Sequence, residues 1–272
     1  VLPSPALDWQ APRLQAALRE TLPGLQVQVL REDVSTNSTL MARGRAGEAA
    51  ACLLVAEHQT AGRGRMGRTW HASRGDSLTF SLGLPCAPSD WSGLSLAVGA
   101  ALAEALDASG AIGLKWPNDL WLRDARAHPG RKLGGVLIET VAAGGGRLCV
   151  VGVGLNVRAR SFEGLHTGLA SLQELDPAAS APAVLHRLAG PLLQALLRFE
   201  REGFAPFASD FARRDLLRGL TVTTTQPGLP AGQVAGVDAD GALLLRDGAG
   251  RVHRVTSGEV SVRPVPLQPE VA

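Results

Sequence analysis

The sequence predicts an α+β protein in which a mixed sheet is layered with helices and followed by a small all-β barrel. Three observations carry this reading. Segments of helical and strand periodicity alternate through most of the chain without a strict βαβ repeat, which favours a layered α+β arrangement over a doubly wound sheet. From Gly219 onward the texture changes to short β-type runs, TVTTT, QVAGVD, ALLLRD and RVHRVTSGEVSV, separated by Gly- or Asp-containing turns, the pattern of a barrel of ~50 residues. The 272 residues, 45% of them hydrophobic, suffice to fill a real core. Two domains are expected, residues 1–218 and residues 219–272.

From Pro12 to Thr21 the apolar positions Leu14, Ala17, Leu18 and Leu22 fall at helical spacing, and Pro23-Gly24 stops the helix before the alternating strand LQVQVL. Ser35-Thr36-Asn37 offer side chains suited to capping the next helix, which runs through Leu40 and Met41 and ends near Gly47. A strand at Ala51 to Ala56, a Gly/Arg loop, a strand at Ser77 to Leu84 and an apolar helix from about Ser92 to Ala108 follow. Strands around Lys115, from Gly134 to Val141 and from Arg147 to Val157 complete the sheet. The segment DPAASAPA, Asp176 to Ala183, reads as a loop, and Val184 to Arg201 as helix, with Pro191 starting a second one.

Bulk properties exclude several functions. With 27 basic and 25 acidic residues the formal charge is +2, so no whole-protein field points to nucleic acid or an anionic membrane. Cys52, Cys86 and Cys149 are odd in number and without metal-ligand spacing, as expected for a reducing compartment. The start VLPSPALDWQ has no secretion-signal pattern, and Leu94 to Leu106 is too short to span a bilayer. A cytoplasmic protein is expected.

The most unusual segment is GRGRMGRTW, Gly62 to Trp70. Its glycines allow close approach of backbone to a ligand, and its arginines supply planar donor forks for phosphate or carboxylate oxygens. A solvated loop or an RNA-contacting patch stays open at this point. The order GxxxxGK[ST] and the strand-GxGxxG-helix setting are absent. KWPNDL at Lys115 to Leu120 is a strand-ending turn on its own. It gains meaning from RKLGGVLIE at Arg131 to Glu139, with Lys132 beside two glycines, and from VGVGLNV at Val151 to Val157.

In this order and preceded by STN, these four motifs resemble the biotin-protein ligase family across Asp33 to Val157, and the region Gly219 to Pro264 resembles that family's SH3-like barrel. The resemblance implies a class II synthetase-like mixed sheet with helices mainly on one face, then the barrel. It implies an ATP-dependent enzyme that activates biotin as biotinyl-5′-adenylate and transfers it to a lysine of a biotin carboxyl carrier protein or domain of a biotin-dependent carboxylase. ATP enters with Mg²⁺, without a dedicated protein metal site, and biotin is a substrate. Ser35, Thr36, Asn37, Gln59, Gly62, Arg63, Lys132 and Gly135 match biotin-binding positions. Arg65, Arg68, Trp70, Lys115, Asn118 and Asn156 match nucleotide-binding positions. Lys132, Arg65 and Asp119 are the catalytic candidates, with Asp119 orienting or deprotonating the acceptor lysine or serving only as a turn aspartate. Lys115 assists with phosphate or is a plain strand-end lysine.

The stretch before Ser35 is shorter than the ~40 residues a DNA-binding helical domain needs to fold alone, so DNA binding is not expected; with a formal charge of only +2 membrane association is not expected either, while a homodimer stays open. Two alternative functions stay open. A lipoate-protein ligase would share the fold, but an RRxSGGG motif is absent. A non-enzymatic nucleic-acid-binding protein would use the arginine loop, against which the near-neutral charge speaks. His58 and His71 flank the loop without a nucleophile that would make a triad.

Overall fold

The computed structural model describes residues 7–124, 129–159, 169–225, 227–229, 231–256 and 262–265. Helix α1 (Ala11–Thr21) carries Pro12 in its first turn and buries Leu14 and Leu18, one helical turn apart. Strand β1 (Gln26–Leu30) follows, then α2 (Thr36–Arg45), β2 (Cys52–Ala56), β3 (Ser77–Pro85) and α3 (Leu94–Leu106). Strands β4 (Ile112–Lys115), β5 (Asp119–Leu122), β6 (Arg131–Ala143) and β7 (Gly146–Asn156) complete a seven-stranded sheet of order β1-β2-β3-β7-β6-β5-β4. Among the described strands of this sheet β1 and β2 are the pair that runs parallel, because the connection between them is a helical crossover, α2. The long β6–β7 hairpin closes on Gly144 and Gly145, both at positive φ (56° and 78°), as its two-residue turn requires.

Strand alternation assigns the two faces of this sheet. Leu53, Val55, Phe80, Leu82, Cys149, Val151 and Val153 join one core cluster with the buried faces of α1, α3 and α4 (Ala181–Glu202). Cys52, Leu54 and Val150 pack instead with Leu40 and Met41 of α2. Helices therefore lie mainly on one face, and among the described residues α2 is the helix that shares the opposite face with the cavity described below.

Three expectations are corrected. The KWPNDL turn leads directly into β5, a strand the reading did not resolve because four residues, DLWL, are too few to show a period. The loop expected over Asp176 to Ala183 ends early, since α4 already begins at Ala181. Pro191 does not start a new helix. It lies inside the 22-residue α4 with its ring exposed, while Leu185, Leu188, Leu192, Leu196 and Phe199 form one continuous buried stripe on the other side. Burying five large side chains at roughly 1.5–3 kcal/mol each outweighs the ~3 kcal/mol cost of an internal proline.

After α5 (Ala208–Arg214), strands β8 (Thr221–Thr224), β9 (Ala231–Val237), β10 (Leu243–Arg246), β11 (Val252–Val255) and β12 (Val262–Pro264) form an antiparallel sheet of order β11-β10-β9-β8-β12. Its buried Val222, Val234, Leu243, Leu245, Val255 and Val262 are continuous with the main core. The indole of Trp116, fully buried, donates to Gly241 O at 3.1 Å and ties this sheet to the KWPNDL turn. Among the described residues no helix is long and apolar enough to cross a membrane.

Candidate active site

A cavity of about 300 Å³ opens on the α2 face of the large sheet. Its floor follows from a pattern in β3, where Leu78, Phe80, Leu82 and Leu84 point into the helix-side core and Ser77, Thr79 and Ser81 alternate with them. All three polar residues are buried. Beside them β7 presents Gly152 and Gly154, which let other groups approach the strand closely. A Cβ on Gly152 would overlap Asn37 Oδ1, and one on Gly154 would lie 2.5 Å from the ring of Trp70.

A run of hydrogen bonds spans one end of the cavity. Gln59 Oε1 accepts from Thr36 N at 2.8 Å and lies 3.2 Å from Thr36 Oγ1. Thr36 Oγ1 lies 2.7 Å from Ser81 Oγ, which donates to Asn37 Oδ1 at 2.6 Å. Asn37 Nδ2 donates to Glu139 Oε2 at 3.0 Å and to Leu137 O at 3.2 Å. Glu139 in turn forms an ion pair with Arg63. Ser35 caps α2 through a long contact, 3.5 Å, from Ser38 N to its Oγ. These residues come from β2's extension, α2, β3, β6 and the arginine loop, brought together because segments 33–36 and 57–61 continue the parallel β1/β2 pairing beyond the strands.

The arginine loop is a compact hairpin. Trp70 N donates to Gly62 O at 2.8 Å and Gly64 N to Arg68 O at 2.7 Å. At its tip Arg68 N reaches Arg65 O at 3.3 Å across Met66 and Gly67, both at positive φ (57° and 70°), the geometry of a type I′ turn. Met66 is more than half exposed. The turn aims Arg65 inward, where an Nη donates to Asn118 Oδ1 at 3.4 Å. Burial pulls the Arg65 guanidinium below its ordinary pKa, Asp119 opposes this, and Arg68 adds to it.

At the other end of the cavity Lys132 Nζ donates to Asp119 Oδ1 at 2.7 Å. Gly135 makes room for this pair, since a Cβ there would come within 3.1 Å of Asp119 Oδ1. Asn118 Nδ2 is held by Val136 O at 2.7 Å, and Asn156 Nδ2 donates to Ala170 O at 3.1 Å. The indole of Trp70 lies over Gly154 with its buried Nε1 unpartnered among the described residues.

Of the expected site residues, Ser35, Thr36, Asn37, Gln59, Arg63, Arg65, Arg68, Trp70, Asn118, Asp119, Lys132, Gly135 and Asn156 line this cavity. Two do not. Gly62 underlies it, its missing Cβ leaving space for Trp70 O and Gln59 Nε2. Lys115 sits with its ammonium 5.6 Å from the Trp121 ring centroid. There burial lowers its pKa, partly countered by Asp119 and reinforced by Lys132 and Arg68. Ser81 and Glu139 were missed by the sequence reading. Ser81 had a signal, the polar alternation of β3, which reads equally as a solvent face. Glu139 is the one charged residue in VLIETV. His71 also lines the cavity.

The cavity thus joins an uncharged polar end at Thr36 and Gln59, apolar surface at Trp70, Leu137 and Leu169, and a cationic end at Arg65, Arg68 and Lys132. Such a site suits a ligand with a hydrogen-bonding head, an apolar body and an anionic tail. Fold and site define the class first: residues 35–156 match the Biotin/lipoate A/B protein ligase family, and residues 221–263 match the Biotin protein ligase C terminal domain. Within that class the chain belongs to the biotin protein ligase family, a family of enzymes. It is 34% identical over 263 residues to the biotin--[acetyl-CoA-carboxylase] ligase of Mycobacterium tuberculosis, covering 90% of this chain and 94% of that relative. It is 36% identical over 252 residues to the bifunctional ligase/repressor BirA of Escherichia coli, covering 89% of this chain and 75% of that relative. A solved biotin protein ligase from Aquifex aeolicus, in complex with biotin and ATP, superposes with a TM-score of 0.73 at 28% identity, covering 88% of this chain and 99% of the other.

Proposed function

We propose that this chain activates biotin with ATP to biotinyl-5′-adenylate and transfers the biotinyl group to a lysine of a biotin carboxyl carrier protein or domain. The supporting observation is the single cavity that carries neutral hydrogen-bonding groups at one end and Lys132 with Arg65 at the other. In this reading Thr36 and Gln59 hold the ureido ring, with Ser35, Asn37 and Arg63 around it, and the valeryl chain runs along the apolar walls.

The carboxylate oxygen attacks the α-phosphorus of ATP and expels pyrophosphate. Two anions must approach, so Lys132, Arg65 and Arg68 lower the barrier by neutralising and aligning them. Trp70 packs on adenine, and Asn118 and Asn156 contact the nucleotide. The lysine amine of the carrier then attacks the acyl carbon, AMP departs, and the amine loses its proton. Asp119, one oxygen held by Lys132, keeps the other for orienting that amine. Mg²⁺ bound to the phosphates of ATP would supply further neutralising charge; among the described cavity-lining residues Asp119 is the carboxylate that would hold it during the first step, before its free oxygen turns to the amine. Residues 1–218 are proposed as the catalytic domain and residues 219–272 as the terminal barrel domain.

The experiment is direct: incubate the protein with ATP, Mg²⁺ and a carrier domain, with biotin or lipoate, and read intact mass. One biotinyl group on one lysine, with no lipoyl addition, is expected. Lipoyl addition without biotinyl addition would make the chain a lipoate ligase.

A further inference from the structure

The hydrogen-bond run between Arg63 and Gln59 has a chemical direction. Glu139 and the carbonyl of Leu137 can only accept, and both contact the same nitrogen of Asn37, at 3.0 and 3.2 Å. This fixes the orientation of the Asn37 amide, so that its oxygen faces Ser81. That oxygen in turn can only accept. Ser81 therefore gives its single hydroxyl proton to Asn37, across 2.6 Å. The 2.7 Å contact between Thr36 Oγ1 and Ser81 Oγ then needs the proton of Thr36. With that proton directed away, Thr36 Oγ1 and Gln59 Oε1, 3.2 Å apart, are both acceptors at the cavity's neutral end.

We infer that Ser81 and Glu139 are specificity-determining positioning residues, which set the Thr36 hydroxyl as an acceptor and so select a ring that donates N–H groups. The inference rests on the reading of the cavity as a biotin site. Ser81 is fully buried in β3 and is not itself a cavity-lining residue, so it acts through Thr36 and Asn37. A ring without donors, such as the dithiolane of lipoate, leaves the two acceptor oxygens unsatisfied, and discrimination by a missing donor is stronger than discrimination by shape alone. In the absence of Ser81 the Thr36 proton turns to its remaining neighbour, Gln59 Oε1, and the pair offers one acceptor fewer to the ligand.

The test is Ser81→Ala, studied by calorimetry with biotin and with a biotin analogue methylated on both ureido nitrogens, together with ATP KM and the thermal midpoint. Loss of one neutral hydrogen bond corresponds to about a tenfold weaker biotin Kd at most, and severalfold at least. The ATP KM stays within twofold of wild type. N-methylation costs the wild type severalfold more affinity than it costs Ser81→Ala, a coupling that general loosening of the strand would not produce. A second variant, Glu139→Gln, keeps an oxygen that can accept from Asn37 while Leu137 O still holds the same nitrogen, and is expected to weaken biotin less than Ser81→Ala. An unchanged biotin Kd in Ser81→Ala, equal losses for biotin and ATP, or equal methylation penalties in the two proteins would overturn the inference. Wild-type protein that does not bind biotin would overturn the underlying biotin reading instead.

Discussion

Replacing Gly154 by alanine should weaken ATP far more than biotin. The new Cβ would stand 2.5 Å from Trp70 Cε2, 2.7 Å from Cζ2 and 2.9 Å from Nε1, whereas carbon atoms settle at ~3.5–4.0 Å. The indole must move by about 1 Å. Its backbone cannot follow easily, because Trp70 N is bonded to Gly62 O at 2.8 Å and Trp70 O already abuts Gly62. Overpacking of this kind costs roughly 1–3 kcal/mol, and if the displaced ring is the adenine platform the ATP KM rises about five- to a hundredfold. Gly152→Ala is the control, since its Cβ overlaps Asn37 Oδ1 and should weaken biotin instead. Initial rates of pyrophosphate exchange, with ATP and biotin varied separately, measure both. If Gly154→Ala raises the biotin KM and spares ATP, the assignment of Trp70 to the nucleotide is wrong.

Three other predictions follow from the same geometry. Lys132→Ala should slow adenylation more than transfer from supplied biotinyl-adenylate, because the carboxylate and phosphate lose their nearest cation while Asp119 is left unpaired; an equal exchange rate would make Lys132 a bystander. Arg65→Gly removes a charge-assisted contact of about 1.5–3 kcal/mol to the intermediate, so adenylate should escape about ten- to a hundredfold faster and label lysines of added albumin. All three cysteines are buried, and burial pushes the Cys86 thiol up to about 11 and raises Cys52 and Cys149. Iodoacetamide at pH 8 should therefore leave the native protein unmodified and alkylate all three in urea. Because the folded thiols hold their protons above the ordinary 9.0, their contribution to stability is constant below pH 9 and declines as pH rises through about 11, which urea midpoints at rising pH would show.

Much of the fold was legible because its signals are local. Leu14 and Leu18, the LQVQVL alternation, Pro23-Gly24 and the barrel's regular turns each state a period or a break within a few residues. Pro191 misled for the same reason: its local cost is visible in sequence, while the continuous apolar stripe that overrides it becomes decisive only once β3 and α3 lie beneath α4. In the site, the arginine loop stood out by its local chemistry and most other positions only through the family resemblance, and thirteen of the expected residues line one cavity. The relation between them did not. Ser81 looks like a solvent-facing strand residue until α2 is placed over it, and Glu139 acquires partners 76 and 102 residues away, at Arg63 and Asn37. Lys115 was grouped with the nucleotide-binding positions by family resemblance, with a plain strand-end lysine as the alternative. Strand pairing sets its ammonium against Trp121, within electrostatic reach of Asp119, Lys132 and Arg68.

The measurement that bears most directly on the account is ATP–pyrophosphate exchange by the purified protein with no acceptor present. Exchange that depends on biotin, is absent with lipoate, and requires no carrier domain is expected, because the adenylate forms before any lysine arrives. Exchange supported by lipoate, or none with saturating biotin and Mg²⁺-ATP, would contradict it.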